Sequence, residues 1–218
     1  NSLYEQSDHW YGSFIFSQYI FEHLGCSPTL KRIWEKSILD DSYYGDFSHR
    51  AISLALSSEG SSFSDALNKM VIANRIMSSS PNAGLFSYEE ANTYPVSGPA
   101  TFQTVTYNAG TNQSVTSTNL NRYASQYTQV NTTDPVIANL TNNSGPATDL
   151  NMHAIIAYAD NSWTVYSGNS INIDPTGSSS LYLAVVSQDT SANNWDYQID
   201  ITDGELAVDN KFVPAFIS

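Results

Sequence analysis

Four histidines carry most of the capacity of this sequence for metal or acid–base chemistry: His9, His23, His49 and His153. Zinc hydrolases place two histidines one helical turn apart, because positions i and i+4 share a helix face. No pair here has that spacing. His9 and His23 fall on one expected helix, where about 14 residues at ~1.5 Å rise separate them by ~21 Å, too far to share an ion. The four therefore read as helix-end or surface histidines. The single cysteine, Cys26, excludes an intrachain disulfide. Set between Gly25 and Ser27, it reads as a small buried filler in a helix-to-helix turn.

Asp46, Ser48 and His49 hold residue types used in nucleophilic catalysis. A catalytic triad normally assembles from distant segments, so Ser48 is expected to cap a helix instead. There is no Gly-x-Ser-x-Gly elbow, no phosphate loop and no dinucleotide fingerprint. Asp200-Ile201-Thr202-Asp203-Gly204-Glu205 lacks the full alternation of a calcium loop. Glu89, Glu90 and the Asp-rich strand ends could act on a sugar only if the fold brought carboxylates together; a solvated acidic rim is the expectation. Tyr158, Trp163, Tyr166, Tyr182, Trp195 and Tyr197 could stack on carbohydrate, with core packing claiming most of them. Sequons begin at Asn112, Asn131, Asn139 and Asn142, matches that chance yields in a chain rich in Asn, Ser and Thr. No residue set in the chain makes a complete catalytic, cofactor or metal site.

The elements that must position these residues fall into two regions. A helix capped by Ser7 or Asp8 is expected to run to Leu24 and stop at Gly25. Its apolar residues, Trp10 to Leu24, cover most of the circumference, so it is expected to be buried nearly all round. Ser27-Pro28 starts a second helix, ended by Asp40-Asp41-Ser42. A third covers about residues 48–57. Ser62 or Ser64 caps a fourth, with Phe63, Leu67, Met70 and Val71 at helical spacing, ended by residues 78–82. From about Tyr94 the pattern changes to short alternating runs: 102–107, 123–130, 136–140, 152–158, 163–166, 181–186, 195–201 and 206–208. Turn signals separate them, as in a β-sandwich. The expected fold is α+β, with a helical domain over residues 1–95 and an all-β sandwich domain over residues 96–218.

Composition bounds the function. Charged residues are only 13% of the 218, against ~25% in an ordinary soluble domain. Ser, Thr, Asn and Gln take their place, as in many secreted β-rich proteins. Net charge is −13, and only Arg122 and Lys211 are basic beyond residue 100. The lack of any basic patch argues against a nucleic-acid partner and disfavours an anionic membrane surface. No stretch reaches the ~18 apolar residues of a membrane span. The chain begins with Asn and shows no signal peptide, as expected of a processed polypeptide. With 8 Lys and Arg, few carboxylates can be ion-paired, and tolerance of acid is expected.

One resemblance adds to this. Residues 10–25, Trp-Tyr-Gly-Ser-Phe-Ile-Phe-Ser-Gln-Tyr-Ile-Phe-Glu-His-Leu-Gly, are similar to the stretch that follows the zinc-binding helix in secreted bacterial metallopeptidase-like proteins of the gluzincin type. Leu30-Lys31-Arg32-Ile33-Trp34-Glu35 resembles their next helix. Residues 63–88, with Val71-Ile72-Ala73-Asn74-Arg75, resemble the last helix of such a peptidase domain, which β-sandwich modules follow. The resemblance covers residues 4–95 and rests on packing signatures. It implies that the His-Glu-x-x-His pair, the third glutamate ligand and any zinc belong upstream of Asn1, so no catalytic, cofactor or metal residue carries over to this chain.

The expectation is then a non-catalytic C-terminal region of a secreted or cell-surface peptidase-like protein. It would serve as scaffold and as substrate- or surface-binding module, with the upstream part of the parent, a polypeptide or a carbohydrate as partner. An extracellular adhesin or carbohydrate-binding protein with a β-sandwich is the alternative.

Overall fold

A computed structural model describes residues 9–39, 47–188 and 194–205; side chains 9–13, 39, 47 and 48 are not described. Four α-helices come first: α1 (His9–His23), α2 (Cys26–Leu39), α3 (Phe47–Leu56) and α4 (Phe63–Ile76). Two 3-10 turns, Pro81–Phe86 and Ala91–Thr93, lead into the strands. These are β1 (Gln103–Thr106), β2 (Gln113–Leu120), β3 (Ser125–Asn131), β4 (Val136–Asn142), β5 (Leu150–Tyr158), β6 (Trp163–Ser167), β7 (Ser170–Ile173), β8 (Ser178–Ser187) and β9 (Trp195–Asp203). They form a five-stranded sheet, β1-β3-β8-β5-β6, and a four-stranded sheet, β2-β9-β4-β7. Among the nine strands of the described residues, β1 and β3 pair in parallel and the other ladders are antiparallel. The fold is α+β, helices first and two packed sheets after.

Side chains alternate across a strand, so one strand can serve two cores. In β5, Met152, Ala154 and Ile156 face the other sheet, beside Leu183 and Val185 of β8 and Ile199 of β9. The intervening Ile155, with Ala184 and Val186 of β8, packs under the helices against Leu67, Val71 and Tyr19. Both faces of β5 and β8 are covered, which is why their sequences read as near-continuous apolar runs. The five-stranded sheet is thus the middle layer of three. Tyr127 on β3 seals its contact with the helices by donating its hydroxyl to the Val71 carbonyl at 2.8 Å.

Several expectations change on contact with the structure. α1 is not buried all round: Phe16, Tyr19, Ile20 and Leu24 form one buried face, while Phe14 and Phe21 are 57% and 41% exposed. Phe14 and Phe21 are seven positions apart, two turns along the opposite face, and no described element covers them. α2 begins at Cys26, not after a Ser27 cap, because Gly25 (φ 95°) and Cys26 (φ 57°) turn the chain in the left-handed region. Cys26 is therefore exposed rather than a buried filler. β2 and β7 have no counterpart among the expected strands. The expected cap at Ser7 or Asp8, the helix end at Asp40 to Ser42 and the strand 206–208 lie outside the described residues. Among the described residues, no helix is long and apolar enough to cross a membrane.

Candidate functional site

Ser62 starts α4 as expected of a capping serine: its hydroxyl accepts from the Asp65 amide at 3.1 Å. That start fixes the helix phase. Ser64, Asn68 and Ile72 follow at four-residue intervals, so they share one face, and all three border a cleft beside β5 and β6. Alternation in β5 puts Asn151 and His153 on the same side of the sheet as Ile155. The β5–β6 ladder sets Ser167 directly opposite His153. A helix, a central strand and an edge strand thus bring three polar residues to one point.

The result is a chain of hydrogen bonds. His153 Nε2 lies 2.6 Å from Asn68 Oδ1, and His153 Nδ1 lies 2.7 Å from Ser167 Oγ. Asn68 Nδ2 donates to the Ser64 carbonyl at 2.8 Å and to Gln188 Oε1 at 3.0 Å. A carbonyl can only accept, so this contact orients the Asn68 amide and leaves Oδ1 facing the imidazole. Oδ1 also accepts from Asn151 Nδ2 at 3.1 Å. The proton of the neutral ring must then sit on Nε2, and Nδ1 presents its lone pair to the Ser167 hydroxyl. His153 is only 2% exposed, and burial lowers its pKa from 6.5 to about 4. The ring is neutral at physiological pH.

The cleft measures about 510 Å³. Ser64, Asn68, Asn151, Ser167 and Gln188 line one part, and Ile72, Phe86 and Val165 another. Its charged groups are Asp65 and Lys69, joined to each other at 2.8 Å. Ser167 itself is exposed at the end of β6. An imidazole lone pair facing an accessible hydroxyl at 2.7 Å has the geometry of a general base.

By sequence Asn68 and Ser167 carry no site motif and His153 reads as a helix-end or surface histidine; it lies instead on the helix-facing side of β5. The available signal was a histidine inside the otherwise apolar run Met152–Tyr158, and an asparagine on the packed side of α4.

The other residues considered in the sequence go elsewhere. His23 Nε2 is 2.8 Å from the Ser87 carbonyl, and Glu22 accepts from the Gln18 amide at 2.6 Å and the Glu89 backbone at 3.1 Å. These bonds tie α1 to the turn after α4; Glu89 and Glu90 are exposed. The His49 ring stacks between Phe63 and Tyr123, 4.9 and 4.1 Å away by centroid. Asp46 lies outside the described residues, as do the side chains of His9 and Ser48. Asp200 accepts from Ser114 and Gln198, and Asp203 from Tyr107 and the Gly110 amide, so both hold strand edges. Trp195 and Tyr197 are in the sandwich core. Tyr182 is covered by the Arg75 guanidinium, 4.4 Å from its ring centroid, whereas Tyr166 is exposed. Among the described residues, no three His, Cys, Asp or Glu side chains converge as a metal site would require. No family model matches the chain, and no curated protein matches it.

Proposed function

We propose that this chain is the C-terminal region of a secreted, peptidase-like protein of the gluzincin type, non-catalytic in peptide hydrolysis, a scaffold that docks onto an upstream part of its parent. One observation carries the reading. The two helices with the peptidase-like motifs expose large apolar side chains: Phe14 and Phe21 on α1, and Trp34 (73%) and Ile38 (72%) on α2. Large exposed apolar surface marks an interaction site. Any zinc would belong to the upstream part, and the sandwich would present the substrate- or surface-binding face outside the cell.

The gene sequence upstream of Asn1 tests this. A His-Glu-x-x-His helix followed by a further glutamate ligand is expected there; an open reading frame without one overturns the reading. The exposed Tyr166 on the edge strand β6 favours a second reading, a carbohydrate-binding module. Specific binding on a glycan array, together with an upstream sequence lacking the zinc motif, would select it.

A further inference from the structure

The cleft between α4 and the β5–β6 edge does more than tie two layers together. Three features of it stand outside the scaffold reading and do not depend on it. The nucleophile is accessible: Ser167 is an exposed residue that borders the cleft. The base is held in one tautomer, with its lone pair toward Ser167, because the Asn68 amide is oriented by the Ser64 carbonyl. The space in front is bordered by Ile72, Phe86 and Val165, which suit an acyl chain, and by the N–H donors of Gln188 and Lys69, which suit a carbonyl oxygen.

From this geometry we infer that Ser167, His153 and Asn68 form a nucleophile–base–orienter site for acyl transfer from carboxylic esters. Ser167 Oγ bonds to the ester carbonyl carbon as its proton passes to His153 Nδ1. The tetrahedral adduct collapses, the C–O bond to the alcohol breaks, and the alcohol leaves with that proton. Water then attacks the acyl-serine, giving its proton to His153, and the carboxylic acid departs as Ser167 Oγ takes the proton back. Asn68 touches neither substrate nor reacting atom; it is a positioning residue that keeps the proton on Nε2. The arrangement reverses the usual roles of the two ring nitrogens, with the nucleophile on Nδ1.

A fluorophosphonate tests the site directly: Ser167 Oγ would bond to phosphorus, with loss of fluoride. The intact chain is incubated with the probe and mapped by mass spectrometry, and hydrolysis of an aryl acetate is followed in parallel. Expected is one adduct on the peptide holding Ser167, lost in Ser167→Ala and reduced at least a hundredfold in His153→Gln. Ser162→Ala, an exposed serine paired to Asp160 with no imidazole, should label as the parent does. Because His153 is neutral down to about pH 4, the labelling rate should change less than about twofold between pH 7.5 and 5.5, where a histidine of ordinary pKa would lose about tenfold. Asn68→Asp, which sets a carboxylate against Nε2–H, should move the acid limb up by at least one pH unit. Ser167 sits at the exposed end of an edge strand and Ser167→Ala leaves the His153–Asn68 bond in place, so its result stands even if His153→Gln fails to fold. No adduct, or an adduct that persists in Ser167→Ala, overturns the proposal.

Discussion

Asn68 Oδ1 sits 2.6 Å from His153 Nε2, and through this bond the fourth helix grips the second face of β5. The two residues are 85 positions apart in the chain. The Asn68 amide also satisfies Asn151, Ser64 and Gln188. Replacing it by alanine strands the buried imidazole N–H. Asn68→Ala should lower unfolding free energy by about 2–3 kcal/mol, read from urea denaturation at pH 7.5. A loss below about 0.5 kcal/mol would mean that the network contributes nothing to holding the layers together.

The pH profile carries the same signature. The folded chain resists protonating His153, whose pKa is about 4, while the unfolded chain takes the proton near 6.5. The contribution is therefore complete above about pH 6.5 and is lost as pH falls toward 4, by about 3 kcal/mol in all. Low charge alone implies a flat acid side; the buried ring gives it a slope. Asp160 and Asp203 add to it at lower pH, since hydrogen bonds from Ser162 and Tyr107 hold their carboxyls below the usual range. Melts from pH 7.5 to 4 should show the fall, and His153→Gln should flatten it. A level parent curve would refute this account.

Trp34 and Phe14 contribute little to the isolated fold. Trp34→Ser and Phe14→Ser should each change stability by less than about 0.5 kcal/mol while lowering the fluorescence of a bound apolar dye. Leu67→Ala, in the core between helices and sheet, should cost about 2–5 kcal/mol. Equal losses at all three sites would show that the exposed face is covered.

Gly204 is a third kind of position. A Cβ there would sit 2.5 Å from the Val136 backbone nitrogen and 2.7 Å from its carbonyl carbon. Backbone in the β4–β9 ladder cannot retreat as a flexible side chain would. Gly204→Ala should cost about 1–3 kcal/mol, seen as a lower melting temperature; an unchanged one would contradict the close approach.

Dividing the chain tests the shared core. Residues 1–94 alone would lose Tyr127, Ile155, Ala184 and Val186 from beneath α4. That piece should be aggregated or lack a cooperative melt, whereas residues 100–218 should retain strand structure. A soluble, monomeric, cooperatively melting helical piece would show that the interface is dispensable.

Where sequence and structure agree, one local rule was decisive. The Ser62 cap marked the start of α4, and apolar runs marked β5 and β8. Where they part, the information is not local. β2 has only Val115 and Leu120 as apolar inward residues and buries Ser117 between them, so its alternation is faint. β7 is four residues long. Cys26 is exposed because Gly25 and Cys26 turn the chain in the left-handed region, which the cysteine side chain itself does not encode. The Ser167–His153–Asn68 chain depends on the β5–β6 register and on which face of α4 meets the sheet. A one-residue slip of register would turn His153 into the sandwich core.

The three-layer arrangement has a consequence for biosynthesis. A ribosome releases α1 to α4 first, yet the floor they rest on is β5 and β8, completed only when residue 187 is made. At ~5–20 residues per second, the helices wait several seconds with Leu67, Val71 and Ile72 unsheltered. Contacts this distant along the chain also form slowly once available. The nascent helical segment is therefore the stage at which this protein most needs a chaperone, and a translational pause after α4 would lengthen that exposure.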